Sequence, residues 1–128
     1  MAADPGVVTF VNGLPGFETC RRFVLMSAPT LEPFVYLNAL DAPQPSFLMV
    51  DPRLIMADYQ MPLTDADRRR LDAGGDDALL WLAMVRIGDG EAAVNLQAPI
   101  VVNPRRMVGL QVVGADSDYP AGHPLPGL

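Results

Sequence analysis

Ala92-Ala93-Val94-Asn95-Leu96-Gln97-Ala98-Pro99-Ile100-Val101-Val102-Asn103 alternates along its length. The even positions Ala92, Val94, Leu96, Ala98, Ile100 and Val102 are all apolar, and the odd ones include Asn95, Gln97, Pro99 and Asn103. A period of two is the pattern of a β-strand with one face in a core and one face open. Amides stand on the expected open face at Asn95 and Gln97, where charges or threonines are more usual. Pro99 has no N–H to donate, which places it at an edge or a bulge. Amides both donate and accept, so an open amide face beside a break in the ladder suits docking of another protein. The same amides also suit a solvated strand, or side chains that satisfy neighbouring backbone. The pattern alone leaves these readings open.

Working outward, residues 78–87 form the most hydrophobic segment and read as a strand joined to the amide strand by Gly88-Asp89-Gly90. Glycine supplies the positive φ that a hairpin turn needs. After the amide strand, Asn103-Pro104-Arg105-Arg106 is a second tight turn. Residues 107–113 then close a three-stranded meander, with Val108, Leu110 and Val112 facing inward. Upstream, residues 7–11, 22–26, 34–40 and 47–50 read as strands separated by Gly/Pro turns, and Phe17 is expected to reach the core from a loop. Asp51-Pro52 stops the fourth of these and can open a helical turn over 53–57. Thr64 followed by Asp65 and Asp67 starts a short helix, expected to run to about Asp72 and stop at Gly74-Gly75. Arg68-Arg69-Arg70 on that helix reads as a solvated face paired with Asp65 and Asp67. From Gly114 the chain is rich in Gly, Pro and Asp, and residues 113–128 read as an irregular tail. The expected fold class is all-β, with one or two short helices, in a single domain over 1–128.

Composition narrows the function classes. Half of the 128 residues are hydrophobic, and 13 prolines and 11 glycines favour many turns over a helical bundle. A chain of net charge −6 is repelled by phosphate backbones and drawn to basic partners, so no direct nucleic-acid binding is expected. The longest apolar run, 78–85, is too short to cross a bilayer. Met1-Ala2-Ala3-Asp4-Pro5 has no leader character, and Cys20 is alone, so a cytoplasmic protein with no membrane association is expected.

Chemistry is sparse. His123 and Cys20 are single and far apart, too few for a usual zinc site and without an orienting group for a nucleophilic pair. No glycine-rich phosphate cradle is present, and the carboxylate pairs Asp65/Asp67 and Asp76/Asp77 lie beside turns. The expectation is no enzyme, no metal and no cofactor.

Several segments in order resemble the FliW flagellar assembly factor family. They are Asn12-Gly13-Leu14-Pro15-Gly16-Phe17-Glu18, Phe47-Leu48-Met49-Val50-Asp51-Pro52 with Asp58-Tyr59, residues 94–103, Gly109-Leu110-Gln111-Val112 and His123-Pro124-Leu125. The set spans about 7–125. The resemblance implies a small antiparallel, barrel-like β fold without catalytic activity. It implies binding of flagellin, and sequestration of CsrA, the RNA-binding regulator that represses flagellin translation. The chain departs from the family in having Gly122 before His123 and Leu37-Asn38-Ala39 on its third strand. Two alternatives stand beside this reading. One is an export chaperone for flagellin that does not bind CsrA. The other is a small β-barrel ligand or flavin carrier. The expected partner-binding residues are Asp51, Asp58, Tyr59, Asn95, Gln97 and Pro99, the two acids adding attraction for a basic partner.

Overall fold

The computed structural model describes residues 6–88, 90–113 and 118–125. Residues 1–5, Asp89 of the expected hairpin turn, and residues 114–117 and 126–128 of the expected tail lie outside them. Strands β1 (Val7–Thr9), β2 (Arg22–Met26), β3 (Val35–Ala39), β4 (Ser46–Val50), β5 (Leu80–Ile87), β6 (Ala92–Asn103) and β7 (Val108–Gln111) pair in the order β5-β4-β3-β2-β1-β7-β6. Strand β6 also pairs with β5, which closes a seven-stranded barrel. The pairings are antiparallel except β1–β7, which is parallel and rests on the one register pair Thr9↔Val108. The all-β, barrel-like expectation therefore holds, with a parallel closure that the turn pattern did not indicate.

The barrel interior is filled by side chains from every wall. Val8, Phe10, Leu14, Cys20, Phe23, Leu37, Met49 and Ile100 are buried there, with Phe17 and Phe47 packed against them. Phe10 and Phe23 meet edge to face at 4.9 Å, and Phe17 and Phe47 at 5.4 Å, the geometry that ring quadrupoles favour. The Phe10 ring lies over Gly109, where an added Cβ would fall 2.6 Å from Phe10 Cζ. Glycine at that point lets β7 approach the ring.

Two further apolar clusters lie on the outside of the wall. One holds Val50, Tyr59, Ala83, Val85, Val94 and Leu96 and is covered by the segment that follows helix α1 (Pro52–Ile55) and by Tyr119 and Leu125. The other holds Leu71, Val101 and Val112, together with Trp81, Val108 and Leu110, under helix α2 (Asp65–Arg70). Val108, Leu110 and Val112 thus face this outer cluster, not the barrel interior.

Both helix starts follow their sequence signals. The Asp51 carboxylate accepts from Arg53 N–H at 2.9 Å with Pro52 at the first helical position, and Thr64 Oγ1 accepts from Asp67 N–H at 3.0 Å. The stop of α2 differs from expectation. It comes at Asp72, with φ 51°, and not at Gly74-Gly75. Ala73 N–H donates to Arg68 O at 3.0 Å and Asp72 N–H to Arg69 O at 3.1 Å, the paired bonds of a Schellman ending. An aspartate tolerates the left-handed conformation better than most side chains do. Here its carboxylate is also held by Arg106 Nε at 3.2 Å.

Asn103 ties this outer layer to the barrel. It is fully buried, its Nδ2 donates to Leu71 O at 2.9 Å, and its Oδ1 accepts from Arg105 N–H at 3.1 Å. Replacing Asn103 with Ala strands a buried carbonyl and a turn amide together, and should lower the unfolding free energy by about 2 kcal/mol. Arg105→Ala, which removes only an exposed ion pair to Asp77, should change it by less than about 0.5 kcal/mol. Urea unfolding of the two variants checks both values.

Candidate functional site

The amide strand does not run straight. Leu82 pairs with Ile100, but Met84 pairs with Asn95, so residues 96–99 of β6 stand opposite the single Ala83. This bulge has three more residues than its partner, an odd number, and an odd insertion turns the strand over. Asn95 shares the inner side with Met84, and Ile100 and Val102 lie in the barrel core. Val94 and Leu96 face the outer cluster beneath Tyr59, and Val101 faces the cluster beneath α2. The single apolar face expected from the even positions is therefore split between the two sides of the wall. Alternation in sequence reports a face only while the ladder is unbroken.

Most of the backbone groups freed by the bulge find partners outside the β5–β6 ladder. Asn95 Oδ1 accepts from Gln97 N–H at 3.0 Å and from Ala98 N–H at 3.1 Å. Leu96 N–H donates to Pro120 O at 3.0 Å, and Leu96 O accepts from Tyr59 Oη–H at 2.7 Å. Gln111 Nε2 donates to Ala98 O at 3.0 Å, and Val112 N–H donates to Pro99 O at 2.8 Å. Pro99 stands where no N–H is required, at the bulge its chemistry calls for.

The six residues expected at a partner site separate into two kinds. Tyr59, Asn95 and Pro99 build the bulge. Tyr59 is 6% exposed, Pro99 is buried, and Asn95 is half-buried with its oxygen committed to backbone. The shared open face expected of Asn95, Gln97 and Pro99 does not form, because the strand turns over between them. Gln97 is half-buried and Asp58 is exposed beside Tyr59. Asp51 caps α1 and pairs with Arg53 at 3.2 Å. The structure does bring Asp58-Tyr59 against the bulge, through the Tyr59–Leu96 hydrogen bond.

A groove of about 570 Å³ opens next to this cluster, lined by Arg53, Tyr59, Gln60, Met61, Pro62 and Trp81. Trp81, within the most hydrophobic segment of the sequence, is half-buried on the outer wall and borders the groove. The tail also differs from its irregular expectation. Strand β8 (His123–Pro124) pairs with Ala93 and Val94, and Leu125 N–H donates to Ala92 O at 3.1 Å. Tyr119 packs against Tyr59 with ring centres 4.5 Å apart and the planes tilted by 42°, and its hydroxyl accepts from Gln60 N–H. Residues 118–125 thus form a strap along β6. The His123-Pro124-Leu125 segment was the one signal in the sequence that marked it.

Burial, with the nearby Tyr119 hydroxyl adding to it, pushes the Tyr59 hydroxyl up to about 12. Among the described residues no group of three or more His, Cys, Asp or Glu side chains is placed to hold a metal ion. Among them, too, no helix is long and apolar enough to cross a membrane.

Residues 2–125 match the family described as FliW protein. The flagellar assembly factor FliW of Natranaerobius thermophilus is 34% identical over 122 residues, covering 93% of this chain and 81% of that protein. The flagellar assembly factor FliW of Thermotoga petrophila is 32% identical over 126 residues, covering 96% and 85%. A solved crystal structure of the flagellar assembly factor FliW superposes with a TM-score of 0.88 at 27% identity, covering 99% of this chain and 91% of that one.

The raised Tyr59 value fixes a pH dependence. The folded state holds the neutral phenol, so its contribution to stability is complete below pH 10 and is lost as the pH rises toward 12. The melting temperature should fall over that interval, and Tyr59→Phe should fall less steeply while starting lower, for want of the Leu96 hydrogen bond. Thermal melts at pH 8 to 12 check this.

Proposed function

This chain belongs to the FliW family, and on that premise we propose that it is a cytoplasmic flagellar assembly factor that works by binding, not by catalysis. In this reading a single FliW-like domain binds flagellin and, when flagellin is exported, sequesters CsrA and so relieves repression of flagellin translation. The observation that carries the reading is the family match across residues 2–125, supported by the structural likeness over 99% of the chain. The charge of −6 agrees with action on RNA through a basic RNA-binding partner. A barrel interior packed with Phe10, Phe23, Leu37 and Met49 speaks against the ligand-carrier alternative, which needs that space for its ligand.

We place partner contact at the bulge of β6 and the groove beside it. Asp58 and Gln97 are the contacting side chains, with Asp51 adding long-range attraction, and Tyr59, Asn95 and Pro99 hold the backbone that presents them. This division separates two kinds of variant. Asp58→Asn combined with Gln97→Thr should weaken binding of CsrA or flagellin about tenfold, with an unchanged melting temperature. Asn95→Ala should lower the melting temperature, because two amides lose their acceptor. Titration calorimetry with purified CsrA and flagellin, beside thermal melts, measures both. Full-strength binding by the Asp58/Gln97 variant would remove these residues from the site. Binding of neither protein by the unmodified chain would overturn the functional reading itself.

A second expectation concerns RNA. The protein alone should leave a flagellin leader RNA unshifted in a gel at micromolar concentration and physiological salt, yet release that RNA from a CsrA complex. A salt-sensitive shift by the protein alone would contradict the indirect route.

A further inference from the structure

We infer that the seam of the barrel between β1 and β7 is a second binding site, one that takes an extended peptide segment of a partner protein as an added strand. This surface lies apart from the β6 bulge groove, and the inference does not rest on the functional reading above.

The backbone geometry comes first. Strand β7 is antiparallel to β6, and in such a pair alternate residues turn their N–H and C=O groups toward and away from the neighbour. Val112 N–H donates to Pro99 O at 2.8 Å, so Val112, Leu110 and Val108 face β6. Met107, Gly109 and Gln111 therefore face the other side. Met107 O uses that direction to accept from Thr9 N–H at 2.9 Å. Beyond the Thr9↔Val108 pair β1 ends, and the chain turns away with Gly13 N–H donating to Phe10 O. Among the described residues, the outward groups of Gln111 lie along an edge with no strand beside it. A strand edge of this kind is completed by another extended chain.

The space beside that edge fits such a chain. A groove of about 470 Å³ runs between β7 and the turn that follows β1, lined by Val11, Asn12, Gly13, Pro15 and Glu18 on one side and by Gly109, Leu110 and Gln111 on the other. At Gln111 and Pro15 it meets a second opening of about 400 Å³ at the mouth of the barrel, walled by Leu14, Phe17, Phe47 and Met84. Val11 and Val113, both 72% or less but more than 60% exposed, are large apolar side chains left in water beside these openings. The Gln111 side-chain amide is committed to Ala98 O at 3.0 Å, so it does not turn back onto the edge. One apolar side chain of the guest enters the mouth while its backbone pairs with Gln111, the division of labour found in strand addition.

Charge names the rest of the guest. Arg70 lines the groove, is 62% exposed and reaches Asp67 only at 3.8 Å; Arg68 and Arg69 are exposed beside it on α2. The basic charge is confined to the α2 end of the groove, because on the turn after β1 it is lined by Glu18, whose carboxylate accepts from Gly16 N–H at 2.9 Å. The matching occupant is an extended segment with alternating apolar residues and an acidic residue at the α2 end.

The probe is an acetylated and amidated hexapeptide that alternates leucine and threonine and carries one glutamate, titrated into the isotope-labelled full chain. Binding should shift the amide signals of Gly109, Gln111 and Val11. N-methylating one alternate set of peptide nitrogens should weaken binding about tenfold, and methylating the other set should leave it intact, since only one edge of the guest pairs. Arg70→Glu should weaken the glutamate peptide several-fold and favour its lysine counterpart, with the melting temperature unchanged. Val11→Asp serves as a second, exposed variant that should also weaken binding. Asp58→Asn with Gln97→Thr should leave peptide affinity unaltered. Equal sensitivity to both methylation patterns, or signal changes confined to the mouth without Gln111, would mean that the opening takes any small apolar molecule and would overturn the strand-addition site. Absence of binding by the unmodified peptide would overturn it as well, whatever the result with flagellin and CsrA.

Discussion

The bulge at residues 96–99 and the groups that satisfy it are the constraint on which the rest of the outer structure depends. A barrel wall has to pair its backbone polar groups, and an unpaired buried one costs about 1–3 kcal/mol. Residues 96–99 leave the ladder opposite Ala83, and their freed groups are taken up by Asn95, Tyr59, Gln111, Val112 and Pro120. These partners come from four separate parts of the chain. Satisfying one irregular segment therefore docks the 59–60 loop, the end of β7 and the tail strap against the same strand.

The bulge also decides where the apolar side chains go. Because the strand turns over, β6 feeds Ile100 and Val102 to the interior while Val94 and Val101 serve the two outer clusters. A barrel this narrow has an interior filled by a few aromatic rings and aliphatic side chains, and the outer clusters extend the core without widening it. They explain the two short helices, each too short to be stable alone and each held by side chains packed on the wall. Asn103 under α2 and Tyr59 near the α1 turn are the polar links in those layers.

Stability is unevenly distributed around this ring. Strands β5 and β6 share pairing along most of their length, whereas β1 and β7 close the barrel through one parallel pair. Opening is expected to begin where pairing is thinnest. Among the described residues, the seam combines that thin pairing with a strand edge that no other strand covers. The β6 side combines a bulge whose freed groups are mostly paired with a groove and the exposed Asp58. The two sides of the barrel thus differ in their pairing, dense around the β6 bulge and thin at the β1–β7 seam.

The sequence by itself determined the strand segments, the caps at Asp51 and Thr64, the acidic balance and, through ordered short segments, the family. These are local properties: period, turn chemistry and side-chain type act within a few residues of one another. It also placed Pro99 at a break in the ladder. It did not reveal that the break holds three extra residues, because the even positions remain apolar across it and the pattern looks unbroken. Nor could it show Asp72 ending α2, since the nearby Gly74-Gly75 is the stronger local stop signal and the contact of Asp72 with Arg106 comes from a distant turn. The tail read as irregular for the same reason; its order comes from Tyr59, Leu96 and Ala92, all more than 20 residues away in sequence. What the tertiary structure alone decided was which side of the wall each residue faces and which backbone groups remain to be paired. Both depend on register between strands, and register is a relation between distant segments that no single segment encodes.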